Sequence, residues 1–214
     1  MILETFAVGA LACNCTLLGD ERTGEAIVID GGDGIEEALA HLERRHLHAT
    51  LLLHTHAHID HIGDAGRLRA ATGARALLHP ADLPLYQTLP LQAQWIGLAH
   101  APPVVRLDGD LHDGEHFTAG AVDVEVLHTP GHTLGSVCFA VREDDRVHLL
   151  TGDTLFAGSI GRWDFGGTSM EDIVDSIRVK LLPFEDETPV VPGHGPPTTI
   201  GIERRTNPYL SLSS

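Results

Sequence analysis

Cysteine is scarce in this chain of 214 residues: Cys13, Cys15 and Cys138 are all it has. An odd count with no export signal argues against a disulfide framework, and small buried strand residues are the simplest use of three reduced thiols. Basic side chains are scarce too, 14 against 30 acidic ones, a formal net charge of −16. Such a surface repels phosphate backbones, which excludes nucleic acid as an expected partner. An anionic small molecule would need local basic groups to hold it, and bound divalent cations would offset part of the negative surplus. No apolar run is long enough to span a bilayer, so no membrane partner is expected. The opening MILETFAVGALACNC carries Glu4 where an export signal needs Lys or Arg. It reads as a first strand, and a cytoplasmic protein is expected. Low-complexity segments, short repeats and obvious linkers are missing as well. A hydrophobic fraction of 43% fits a soluble globular chain, folded as one domain or two fused halves.

What is present alternates between two periods. AIVIDGG (26–32) is an apolar strand stopped by a glycine turn, and GIEEALAHLERRHL continues with Ile35, Leu39 and Leu42 at helical spacing. ATLLL is a second buried strand, and AGRLRAAT reads as a helix. The second half repeats the layout. VDVEVLHT, SVCFAV and VHLLTGD read as strands, SMEDIVDSIRVKLL as an amphipathic helix, and TPVVPGHG as a last strand and turn. The alternation predicts an α/β layered fold. Residues 84–103, PLYQTLPLQAQWIGLAHAPP, are proline-punctuated and weakly periodic; they form either an excursion over a site or a packed surface loop, and supply Tyr86 and Trp95.

LHTHAHIDHIGD (53–64) holds the densest chemistry, with His54, His56, His58 and His61 beside Asp60. An extended backbone would turn His54, His56 and His58 to one face. Imidazoles and a carboxylate converging at a strand end pack badly but coordinate divalent zinc, iron or manganese well. His132 in HTPGHTLGS, Asp153 in TGDTLF and His194 in PGHGP each follow an apolar strand beside glycine, where a sharp turn would bring the side chain into a pocket.

Together, His56, His58, Asp60, His61, His132, Asp153 and His194 resemble the ligand set of the metallo-β-lactamase superfamily. The likeness extends over IDGG, THAHIDH, HTPGHTLGS, TGDTLF, GSIGRWDFGG, PGHGPPTTIG and ERRTNPYL. It is similar in particular to the short bacterial hydroxyacylglutathione-hydrolase-like (glyoxalase-II-like) proteins. The resemblance implies an αββα four-layer sandwich, a single hydrolase domain over residues 1–214, and a site at one edge between the sheets. It implies that His56, His58 and His132 hold one metal, that Asp60, His61 and His194 hold a second, and that Asp153 bridges them. The cofactors implied are two divalent cations, zinc first, with iron or manganese also suited. The clustered imidazoles would stay neutral because metal, not protons, occupies their lone pairs. His54 departs from the family pattern, which has an apolar residue there, and reads as a supporting or core residue. Asp30 is implied to orient the ligands from behind; His128 and His148 read as structural.

The activity implied is hydrolysis of an acyl thioester, S-lactoylglutathione by default, by a hydroxide bridging the two metals. Asp60 is the candidate catalytic residue, orienting that nucleophile or handling its proton while still binding metal. In GSIGRWDFGG, Arg162 keeps a basic residue, and Asp164 stands where full-length glyoxalase II has a tyrosine. Both are candidate substrate contacts, with a plain salt link between them as the alternative. The chain ends soon after NPYL, so the C-terminal helical domain that completes glutathione binding in full-length glyoxalase II is expected to be missing. Other small-molecule thioesters or esters therefore stay open. An iron-dependent persulfide dioxygenase on the same fold is the second reading; the complete trio Asp60, His61 and His194 weighs against it. A metal-binding protein without activity is the third.

Overall fold

The computed structural model describes residues 1–143, 146–164 and 167–210. The chain divides into two compact units: residues 1–111 with 118–122, and residues 112–117 with the chain from Asp123 onward.

The first unit is built on a sheet of β1 (Ile2–Val8), β2 (Cys13–Gly19), β3 (Glu25–Ile29), β4 (His48–Leu53), β5 (Arg75–Leu78) and β6 (Gly109–Asp110), in that spatial order. The first three strands meander antiparallel, and β3 to β6 run parallel. Parallel neighbours need crossovers, which α1 (Ile35–Arg44), α2 (Ile59–Ile62), α3 (Ala65–Thr72), α4 (Leu83–Tyr86) and α5 (Leu89–Trp95) provide. Helices on a parallel sheet bury its strands on both faces, which is why EAIVI and RALL read as runs rather than alternations. In α1 the buried face is Ile35, Ala38 and Leu42, packed in one core with Val28 and Leu52. Glu36 and Glu37 in its first turn and Arg44 in its last complement the helix dipole.

A second sheet, in the second unit apart from residues 118–122, has β7 (His116–Ala119), β8 (Val122–His128), β9 (Val137–Glu143) and β10 (Arg146–Gly152) as consecutive neighbours. A short hairpin of β11 (Leu155–Phe156) and β12 (Ser159–Ile160) follows, then α6 (Met170–Ser176), β13 (Pro189–Pro192), β14 (Thr198–Thr199) and α7 (Ile200–Thr206). The α6 crossover lets β13 run parallel to β10. Ser169 and Asp172 start α6 with a reciprocal capping box, and the helix passes into a π-helical turn over Ile177–Leu181. Its buried residues Ile173, Val174, Ile177 and Leu181 share a core with Leu149 and Val190.

The strands and helices expected from periodicity are present, and all three cysteines are buried: Cys13 and Cys15 on β2, Cys138 on β9. Among the described residues no helix is long and apolar enough to cross a membrane. Two local expectations need correction. Residues 84–103 are not simply a loop, because α4 and α5 occupy their first part, each with proline in its opening turn. There Tyr86 is buried, its hydroxyl accepting from the Val105 amide at 3.1 Å, while Trp95 is 71% exposed. The histidine motif is also not extended, since β4 ends at Leu53 and α2 starts at Ile59.

Candidate metal centre

Parallel strands deliver their carboxyl ends to the same side, and β3 and β4 are neighbours. Asp30, just after β3, therefore meets the turn just after β4. Its backbone is left-handed at φ +52°, a conformation that costs a non-glycine residue about 1 kcal/mol, with Asp among the residues that tolerate it best. The buried carboxylate compensates by organising the turn. Oδ1 accepts from the Thr55 amide at 2.8 Å, while Oδ2 accepts from the Thr55 hydroxyl at 2.6 Å and from His61 Nδ1 at 3.0 Å. Gly32 completes this side: at φ +59° its amide donates to the His61 carbonyl, and a Cβ there would lie 2.3 Å from the Asp60 carbonyl oxygen.

These contacts fix ring tautomers. Having donated its one proton to Asp30, the Thr55 hydroxyl can only accept from His56 Nδ1, 3.0 Å away. His61 Nδ1 likewise donates to Asp30. In both rings Nε2 is thereby the lone-pair nitrogen, as a metal ligand requires. His56 Nε2 lies 3.0 Å from His58 Nδ1, and His61 Nε2 lies 3.7 Å from Asp60 Oδ2. Cys13 Sγ approaches the back of His61, 3.5 Å from Nδ1, with burial pushing its thiol pKa up to about 11.

The second unit repeats the device. His132 Nδ1 donates to the Arg162 carbonyl at 2.7 Å, which leaves Nε2 facing Asp153 Oδ2 at 3.7 Å. Gly161 permits this contact, since a Cβ there would lie 1.7 Å from the Asp153 carbonyl oxygen. Asp153 and His194 follow the parallel strands β10 and β13, and the Gly193 amide donates to the Gly152 carbonyl at 2.7 Å. That bond brings His194 Nε2 to 3.9 Å from the other Asp153 oxygen, Oδ1. One carboxylate thus turns a separate oxygen to each of two imidazoles.

Imidazole nitrogens and carboxylate oxygens fit a divalent cation. Two nitrogens at about 2.0–2.1 Å from a tetrahedral zinc are about 3.3 Å apart, near the His56–His58 spacing. His54 lies outside this set. It is buried, donates from Nδ1 to the Leu77 carbonyl at 2.9 Å, and is driven toward its neutral form by burial. His128 Nε2 donates to the Leu134 carbonyl, and His148 lies 4.0 Å from Glu143, both in structural roles. Arg162 and Asp164 form a two-pronged ion pair, Nε to Oδ1 and Nη2 to Oδ2, with side chains 61% and 59% exposed. Phe165 and Gly166 of GSIGRWDFGG lie outside the described residues. Sequence reasoning missed Thr55; a hydroxyl adjoining the histidines was the one visible signal.

The model of the metallo-beta-lactamase superfamily matches residues 8–194. The chain belongs to the metallo-β-lactamase superfamily. Among its relatives in that superfamily, hydroxyacylglutathione hydrolase GloC of Haemophilus influenzae is 37% identical over 215 residues, spanning the whole of both chains. A solved metallo-β-lactamase-fold neighbour, TTHA1623 in a di-iron-bound form, is 38% identical with a TM-score of 0.85, covering 97% of this chain and 100% of its own. ETHE1 from Myxococcus xanthus is 28% identical with a TM-score of 0.81, covering 100% of this chain and 86% of its own. The expected α/β metallo-β-lactamase fold is therefore the observed one.

Proposed function

We propose that this chain is a metal-dependent hydrolase of small acyl thioesters, with S-lactoylglutathione-like substrates as the default, and that its two units act as one catalytic domain in the cytoplasm. His56, His58 and His132 would hold one cation, Asp60, His61 and His194 another, and Asp153 both. The observation that carries this reading is the direction of the ring nitrogens. Asp30, Thr55 and the Arg162 carbonyl each take an Nδ1 proton, so Nε2 of His56, His61 and His132 is the lone-pair atom, beside another member of the set. The name of the GloC relative supports a thioester as substrate.

When bound, a pair of divalent cations, zinc first and iron or manganese also suited, lowers the pKa of water toward about 7 and polarises a carbonyl oxygen. The protein supplies the rest. Asp60 orients the attacking water and takes its proton on the carboxylate. A thiolate leaves without a strong general acid, which suits a ligand set of imidazoles and carboxylates. Arg162 would hold a substrate carboxylate by exchanging it for Asp164. Both partners are solvated, and an exposed pair of this kind is worth about 1 kcal/mol or less, so the exchange is easy.

A second reading is an iron-dependent persulfide dioxygenase; the TTHA1623 neighbour binds iron, there as a pair. Metal analysis of purified protein, followed by S-lactoylglutathione hydrolysis beside oxygen uptake with glutathione persulfide, separates the two. Two metals per chain with thioester turnover are expected. One iron with oxygen uptake would replace the hydrolase by the second reading, and no metal with neither activity would remove both.

A further inference from the structure

Gln92 is a buried amide on the apolar face of α5, between Leu89 and Ala93, in a cluster with Ala57, Ile59, Ile62 and Tyr86. A leucine there would pack without needing hydrogen bonds, whereas an amide buried without them is costly. Both ends of this amide are engaged. Oε1 accepts from the Ile59 amide at 2.9 Å, and Nε2 donates to the Ala57 carbonyl at 3.1 Å, with Leu85 O and Thr88 Oγ1 each at 3.2 Å. Buried Asp82, just before α4, accepts the Ala57 amide on Oδ2 at 2.9 Å.

The three backbone groups so held flank His58. Ala57 lies between the β4 ladder and α2, and Ile59 opens α2, where an amide has no intrahelical acceptor, so neither element satisfies them. Gln92 pairs one carbonyl and one amide on either side of His58, as a neighbouring strand would. The direction of the His58 Cα–Cβ bond is set by those two peptides, and Asp60 follows two residues later. We propose that Gln92, seconded by Asp82, is a positioning residue that presets the spacing of His58 and Asp60, one ligand of each proposed cation, before any cation arrives. This rests on the metal-centre reading above.

The test uses the full chain and the variant Gln92→Met, which keeps side-chain length and removes the bonds to the Ala57, Ile59 and Leu85 backbone. Zinc retention against a chromophoric chelator is measured beside the thermal midpoint of the metal-depleted proteins. Positioning predicts a loss of about 10-fold or more in zinc affinity, the range usual when the partners behind metal ligands are removed. Equal retention in variant and wild type overturns the proposal, whatever the midpoint does. A wild type that binds no zinc sinks the metal centre itself, a different result. Should Gln92→Met fail to fold, amide hydrogen exchange on metal-depleted wild type decides. Protection of the Ile59 amide comparable to Leu52 and Leu53 on β4 supports presetting, and exchange at the rate of an open loop overturns it.

Discussion

At the residue scale, one carboxylate governs two candidate ligands by different routes. Asp30 reaches His61 directly and His56 only through the Thr55 hydroxyl. Thr55→Val is nearly isosteric and breaks the second route alone. It should weaken binding of the cation proposed for His56 by about 10–100-fold while leaving the other close to wild type. Asp30→Asn should weaken both. Stepwise metal titration of the two variants reads the difference, and equal losses in Thr55→Val at both positions would show that the hydroxyl serves packing rather than tautomer choice. The candidate ligands stood out in the sequence because four of them crowd one short stretch and the others follow apolar strands beside glycine. Thr55 was not, because its role depends on which way one proton points. His54 stood apart on family pattern alone, and its bond to Leu77 supplies the physical reason.

Among the elements, the α7 helix has a task that its sequence does not announce. Buried Glu203 accepts from the Gly158 amide at 2.9 Å, the Thr198 hydroxyl at 2.7 Å and the Asn207 amide at 2.8 Å. Asn207 in turn donates to the Ser159 carbonyl at 3.0 Å. ERRTNPYL therefore grips the β11–β12 hairpin, which leads directly into Gly161 and the Arg162 carbonyl behind His132. Glu203→Ala leaves buried donors without an acceptor and should destabilise the protein by about 3 kcal/mol. In a chain of this size that lowers the thermal midpoint by roughly 6–12 °C. A shift under roughly 2 °C would mean that water replaces the carboxylate at no cost. The strands and longer helices could be read from periodicity because ten residues of α1, or seven of β8, repeat their pattern often enough. Four- and seven-residue helices such as α4 and α5 do not, and prolines that open them look the same in sequence as prolines that interrupt a loop.

For the whole molecule, cation binding by the proposed ligand set would be a stability term. A ligand that binds only the folded chain stabilises it by RT ln(1 + [L]/Kd), about 4 kcal/mol at a thousandfold excess over Kd. Zinc loading should therefore raise the thermal midpoint by roughly 8–16 °C, and a strong chelator should reverse the rise. The carboxylates of the proposed ligands are part of a formal net charge of −16, so a bound dication would also relieve local repulsion. Asp153 is the sharpest probe of whether the half-sets serve one centre, because its two oxygens face two different imidazoles within its own unit. Asp153→Ala should lose most of the zinc-induced rise and, with it, thioester turnover. Scanning calorimetry of loaded and depleted protein, run beside the hydrolysis assay, measures both. A variant that keeps the full rise and full turnover would show that the carboxylate joins nothing, and the dinuclear reading would reduce to a single site held by the remaining ligands.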